Sequence, residues 1–244
     1  MSKQPREIDV VTGTIRPGTF RIVRKIVVAV CRVLFGFRIE GEHNVPETGP
    51  FIFVSNHLHN LDPLFTSAAC PRRVQYMAKV ELFKVPVLSR IIRWVGAFPV
   101  NRGRMDREAI RRGQATLKAG YGLGIYPEGT RSLSMKIERV LPGAGLFALR
   151  DNVPIVPAAI TGTERLPFNG AKQHRRGSDM PDPGHKGVRV VIGEPFTIPP
   201  EIDGVRTNAE AATHYMMQRV AALLPEPYRG VYGTQPTVID TEDT

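Results

Sequence analysis

Short apolar runs alternate with segments of helical period along most of the chain, and this alternation limits the fold more than any other feature. "FIFVSN" (51–56), "RVQYMAK" (73–79), "AFPVNR" (97–102), "GLGIYP" (122–127), "PIVPAAI" (154–160) and "VRVVIG" (188–193) read as strands. Between them, Asp62 followed by Pro63 has the form of an N-cap and first residue opening a helix. A second helix is expected over 81–96, kinked at Pro86, and a third over 105–120, stopped by Gly120. A short helical piece occupies 144–151, and a last helix starts at a Thr207-x-x-Glu210 capping box and ends before Pro225. Such an order predicts a single α/β domain over 38–232, with a largely parallel central sheet flanked by helices. Residues 1–19 and 233–244 are polar, lack periodicity and read as flexible tails. The Gly/Pro-rich stretch 169–187 reads as a surface loop.

In sheets of this kind chemistry gathers where strands end. Four polar junctions follow apolar strands here: "NHLHNLD", "NRGR", "PEGTRS" and "TGTER". The first is the richest. His57 closes a strand and Asp62 opens a helix, so the turn between them can fold one side chain back on the other. An aspartate accepting from one imidazole nitrogen fixes the tautomer and leaves the other nitrogen bare to take a proton. Imidazoles titrate near neutrality, as a general base requires. Two other readings stand beside this one. Asp62 can simply cap a helix, with the histidines passive. Alternatively, His57, His59 and Asp62 can form part of a metal ligand set, although no third histidine follows Asp62 and His43, His174, His185 and His214 lie away from the strand ends. No Gly-x-Ser-x-Gly elbow and no neighbouring cysteine offers a nucleophile, so in the base reading the attacking group belongs to the substrate.

The remaining junctions suit an anion. "YPEGTRS" (126–132) combines a glycine turn, hydroxyls and Arg131, a cradle for phosphate, and Arg102 adds a second planar charged fork. The chain as a whole carries a formal net charge of +10, which also favours an anionic partner. Aromatics make up only 7 % of it and do not interleave with basic residues, which disfavours nucleic acid. Two cysteines, Cys31 and Cys70, are too few for a disulfide framework. No apolar leader follows the polar start. The run "IVVAVCRVLF" holds an arginine and is too short to span a bilayer of about 30 Å. Written as a helix, residues 20–37 place Arg21, Arg24, Lys25 and Arg32 in a sector about 100° wide, with apolar residues round the rest. That is the pattern of an amphipathic helix lying in an anionic membrane surface; a helix packed on the domain with solvated arginines is the other reading.

Taken in order, "NHLHNLD" (56–62), "FPVNRG" (98–103), "YPEGTRS" (126–132) and "VPIVPAAI" (153–160) resemble the four sequence blocks of the glycerolipid acyltransferases typified by 1-acylglycerol-3-phosphate acyltransferase. The resemblance covers roughly residues 35–225. It implies the glycerolipid acyltransferase fold and transfer of an acyl chain from acyl-CoA or acyl carrier protein to the hydroxyl of lysophosphatidic acid, giving phosphatidic acid. Neither a metal nor a further cofactor is implied. His57 would be the general base and Asp62 the residue that orients it, with backbone N–H groups of these turns holding the oxyanion. Arg102, Glu128, Gly129, Thr130 and Arg131 would bind the glycerophosphate head, and Pro154 and Pro157 would shape an acyl channel. Asn56 and His59 would support the base from behind; His59 stands where the family more often has a small or polar residue. Tyr126 stands for a phenylalanine, a change expected to be harmless. The resemblance also implies a peripheral or monotopic place at the cytoplasmic face of the membrane, through the basic-striped helix. The loop cations Lys172, His174, Arg175, Arg176, His185 and Lys186 suit lipid phosphates or an acidic carrier. Acylation of another acceptor, such as glycerol-3-phosphate, another lysophospholipid or a lipoamino acid, is the nearest alternative. A basic membrane- or nucleic-acid-binding protein is the alternative outside catalysis.

Overall fold

Phe51–Ser55 forms a strand in which all five residues are buried, as expected of a strand covered on both faces. The computed structural model describes residues 17–84, 89, 97–100, 107–167 and 180–233. Within it the strands are β1 (Arg38–Glu40), β2 (Phe51–Ser55), β3 (Val74–Lys79), β4 (Phe98–Val100), β5 (Gly122–Ile125), β6 (Ile155–Thr161) and β7 (Arg189–Ile192). They make a seven-stranded sheet in the order β1-β7-β6-β2-β5-β3-β4. Central β2 pairs in parallel with β5 and β6, and β3 extends the parallel run to β4. Only β7 runs antiparallel to its neighbour β6, and β1 lies parallel to β7 at the edge. A two-residue-per-arm hairpin, β8 (Glu201–Ile202) with β9 (Val205–Arg206), stands apart.

Helices cover both faces. On one, α3 (Arg107–Lys118), α4 (Gly143–Asp151) and α5 (Ala209–Leu223) set Leu117, Phe147 and Met216 against Ile52, Val54 and Leu123. On the other, α1 (Pro17–Phe35) and α2 (Asp62–Ala69) set Val28, Cys31 and Phe65 against Phe51, Phe53 and Val156. Phe35 and Phe37 meet the Phe65 ring edge-on. Each fully buried side chain of this size adds about 1.5–3 kcal/mol relative to its exposed state. The layered α/β architecture is therefore the one expected from the strand–helix alternation.

Details differ from that expectation. The N-terminal helix begins at Pro17 rather than residue 20, in the first-turn position where proline costs no hydrogen bond. It ends at Gly36, whose φ of +59° lets Phe37 N–H reach the Cys31 carbonyl. The last helix is capped by Asn208, whose Oδ1 accepts from Ala211 N–H, and not by Thr207, whose hydroxyl donates to the Pro199 carbonyl. Asn208 wins because its extended backbone points the amide oxygen at the free N–H groups of the first turn. Strand β1 was not foreseen; three residues at a sheet edge carry no periodicity. Residues 81–84, expected at the start of a helix, fall in a 3-10 turn over Val80–Lys84. Pro86, Arg102, Lys172, His174, Arg175 and Arg176 lie outside the described residues, as do 1–16 and 234–244.

One expected membrane contact is corrected. Arg24 does not face outward. Its guanidinium donates to the carbonyls of Ala68 and Ala69 and pairs with Glu42. Those carbonyls close α2 and have no partner within the helix, so a planar cation with several donors satisfies them and meets the negative end of the helix dipole. Arg21, Lys25 and Arg32 remain exposed. Beside them Ile22, Ile26, Val30, Val33 and Leu34 form an exposed apolar ridge, with Val33 at 85 %. Among the described residues no helix is long and apolar enough to cross a membrane.

Candidate active site

β2 and β5 run parallel and side by side, so the loops that follow them leave the same end of the sheet together. The first carries His57 and the second Glu128. His57 is 6 % exposed, and its Nδ1 lies 2.8 Å from Asp62 Oδ2. The same carboxylate oxygen accepts from Leu58 N–H at 2.6 Å and His59 N–H at 2.7 Å. Asp62 is the first residue of α2, with Leu61 in the capping position, so its carboxylate turns back over the 57–59 turn and does not cap its own helix. Because a carboxylate can only accept here, Nδ1 carries the imidazole hydrogen and Nε2 is left as the basic nitrogen. No described residue hydrogen-bonds that nitrogen.

The second loop grips the first through its backbone. Glu128 Oε1 accepts from His57 N–H at 2.7 Å, and Ser132 N–H donates to the His57 carbonyl at 2.8 Å. Both hydrogen-bonding groups of the His57 main chain are thus held by the 128–132 segment. Glu128, expected at the glycerophosphate head, is buried and spent on this contact. Burial pushes its carboxyl up to about 8, against the lowering effect of the His57 amide, while Asp62 and Glu138 add to the rise. Gly129 adopts φ +68°, the left-handed region that glycine enters freely, and its N–H closes the turn on the Tyr126 carbonyl. Thr130 is exposed at the rim and Arg131 is half-buried. Ser132 also donates its hydroxyl to the Lys136 carbonyl.

Asn56, expected to back the base, does a structural job. Its Nδ2 donates to the Ile160 carbonyl at 2.9 Å and its Oδ1 accepts from Ile160 N–H at 2.8 Å, continuing the β2–β6 ladder by one side-chain rung. His59 is buried, and its Nδ1 accepts from Leu61 N–H. Its hydrogen therefore sits on Nε2, a buried atom with no hydrogen-bond partner among the described residues. Burial pulls the His59 pKa down, an effect that Asp62 opposes and Arg131 reinforces. In place of a converging ligand set, the His59 ring is tied to a backbone amide and the Asp62 carboxylate to His57 and two more. Among the described residues no group of three or more histidine, cysteine or acidic side chains is placed to hold a metal ion.

The "TGTER" junction sits at the end of β6. Gly162, at φ +88°, brings its Cα so close to the Gly187 carbonyl that any side chain would collide with it. Thr161 Oγ1 lies 2.8 Å from His185 Nε2, and Glu164 accepts from the buried Tyr228 hydroxyl at 2.8 Å. Neither contact was legible beforehand, since each joins segments far apart in the chain. Pro157 is a β6 residue in register with Val54, so it builds the sheet itself. Tyr126 closes β5 and lays its ring on the His57 imidazole, with centroids 4.3 Å apart and planes 21° from parallel.

A buried histidine with one nitrogen held by a carboxylate and the other bare, at the ends of parallel strands, is chemically equipped to take up or give a proton. The model of the acyltransferase family matches residues 36–161, half of the chain, and the chain belongs to that family. Among curated proteins it is 28 % identical over 161 residues to the chloroplastic 1-acyl-sn-glycerol-3-phosphate acyltransferase BAT2 of Brassica napus, a match covering 65 % of this chain and 44 % of that one. It is 29 % identical over 163 residues to the 1-acyl-sn-glycerol-3-phosphate acyltransferase of Bacillus subtilis (strain 168), covering 66 % of this chain and 74 % of that one. The chain thus spans less than half the length of the plant relative. The crystal structure of the 1-acyl-sn-glycerophosphate (LPA) acyltransferase PlsC from Thermotoga maritima superimposes with a TM-score of 0.62 at 22 % identity, covering 88 % of this chain and 84 % of that one. At that identity the likeness establishes the fold.

Proposed function

We propose that the chain transfers an acyl group from a thioester, acyl-CoA or acyl carrier protein, to the free hydroxyl of lysophosphatidic acid and so makes phosphatidic acid. The observation that carries this reading is the 2.8 Å contact between His57 Nδ1 and Asp62 Oδ2, at the end of the sheet where the 128–132 segment also lies. His57 Nε2 takes the proton from the acceptor hydroxyl as its oxygen attacks the thioester carbonyl carbon. Asp62 steadies the imidazolium that forms, and backbone N–H groups of these turns hold the oxyanion. When the tetrahedral intermediate collapses, the C–S bond breaks and the leaving sulfur takes the proton back from Nε2. No covalent acyl-enzyme and no metal enter this route. Arg131 and Arg102 bind the phosphate of the acceptor, with Gly129 and Thr130 shaping the turn around it.

The same reading places the protein at the cytoplasmic face of the membrane, as a peripheral or monotopic protein. The ridge Ile22, Ile26, Val30, Val33 and Leu34 enters the acyl boundary, while Arg21, Lys25 and Arg32 meet anionic head groups. A lipid-dissolved acceptor then reaches the site without leaving the bilayer.

Thiol release with acyl-CoA and a panel of acceptors tests the proposal. Release with lysophosphatidic acid well above that with glycerol-3-phosphate, other lysophospholipids or a lipoamino acid is the expected result. Equal or greater release with another acceptor moves the assignment to that acceptor, and release with none of them contradicts acyl transfer to these lipids.

A further inference from the structure

The aromatic ring beside His57 is held by more than packing. Tyr126 stacks on the imidazole at 4.3 Å, and Tyr76 in turn stacks with Tyr126, 5.5 Å away and 19° from parallel to it. Both phenols end on one atom: Tyr76 and Tyr126 hydroxyls each lie 2.8 Å from Thr66 Oγ1. Thr66 in turn donates its only hydroxyl hydrogen to the Asp62 carbonyl at 2.8 Å. A threonine hydroxyl has one hydrogen and two lone pairs, so both tyrosines must donate to it, and its capacity is filled. Glycine at 124 makes the stack possible. It is the register partner of Tyr76, and a Cβ there would overlap the phenol ring.

Two restraints on His57 therefore spring from the first turns of α2. The Asp62 carboxylate fixes the ring within its plane through Nδ1. Through Thr66, four residues on, the same helix pins the tyrosine whose face fixes the plane itself. We propose that Tyr126 is a positioning residue for the general base: its pinned ring sets the imidazole plane, aims Nε2 at the acceptor hydroxyl, and offers its electron-rich face to the imidazolium formed during proton transfer. This inference rests on His57 acting as the base. Burial drives the Tyr126 and Tyr76 pKa values well upward, so both rings stay neutral phenols throughout the range in which an imidazole titrates. The tyrosine in place of phenylalanine is thus more than a tolerated change, because only the hydroxyl can reach Thr66.

The test compares Tyr126→Phe, which keeps the ring and removes the pin, with Tyr126→Leu, which removes the ring, alongside His57→Ala. Thiol release is measured with lysophosphatidic acid and acyl-CoA across pH. The expected result is a kcat lowered several-fold by Phe and about tenfold or more by Leu, with KM changed less than about twofold. In Leu the acidic limb of the kcat profile also moves to lower pH, by about half to one unit, because the imidazolium has lost its π face. Wild-type kcat and an unmoved limb in both variants overturn the proposal. If Leu prevents folding, Phe decides alone, and a kcat equal to wild type overturns it. Turnover surviving in His57→Ala removes the base assignment itself; a dead His57→Ala with unaffected tyrosine variants removes only the role of Tyr126.

Discussion

The carboxyl Oε1 of Glu128 lies 2.7 Å from the main-chain nitrogen of His57, so a residue of the third sequence block holds the backbone of the first. This bond accounts for a glutamate inside the sheet end where a head-group ligand was expected. Glu128→Ala leaves the His57 N–H unpaired, at a cost of about 1–3 kcal/mol in stability. It also loosens the imidazole, and kcat for acyl transfer is expected to fall by about tenfold or more. Glu128→Gln keeps the accepting oxygen and is expected to stay within a few-fold of wild type. Urea titration and thiol release on both variants check this.

The same residue predicts a pH signature. Its folded-state value of about 8 lies above the ordinary glutamate range, so the folded protein keeps a proton that the unfolded chain has lost. The contribution of this group is fully present below its unfolded pKa of about 4.3 and is lost as pH rises through the folded value. Wild type should therefore lose melting temperature between about pH 5 and pH 8 more steeply than Glu128→Gln, which has no proton to lose. Parallel slopes in the two proteins would contradict the buried, protonated assignment.

Arg24 joins α1 to the rest of the fold. Arg24→Met removes the donors to the Ala68 and Ala69 carbonyls and strands Glu42. A loss of about 1–3 kcal/mol is expected, with faster proteolysis within α1, and Arg24→Lys should recover little because one ammonium cannot fork across the carbonyls and Glu42. Urea midpoints and limited trypsin digestion measure both.

The exposed ridge gives the opposite outcome. Ile22→Ser with Val33→Ser deletes apolar surface that packs on little of the fold, so the melting temperature should hold while binding to phosphatidylglycerol vesicles falls by about tenfold or more. Flotation with the vesicles reads this directly. Unchanged binding would mean that another surface meets the lipid.

These outcomes mark what the sequence could and could not disclose. That β2, β5 and β6 are strands followed from apolar runs bounded by turn residues, and the closeness of His57 and Asp62 from a strand end meeting a helix start. The burial of Glu128 did not, because it depends on which loops a parallel β2–β5 pairing brings together. A helical wheel groups Arg24 with its neighbours in angle, yet cannot tell which edge of the stripe faces the carbonyls of α2. The tyrosine hub on Thr66 was equally hidden, since it gathers Asp62, Thr66, Tyr76 and Tyr126 from three elements. The cap at Asn208 turned on backbone direction, which a capping-box pattern does not carry.

The central claim is that His57 Nε2 removes the acceptor proton. Thiol release by His57→Ala, with lysophosphatidic acid and acyl-CoA and with folding verified by circular dichroism, tests it most directly. The account predicts a fall of about a hundredfold to ten-thousandfold in kcat with the fold retained. A folded variant that turns over at the wild-type rate would contradict it.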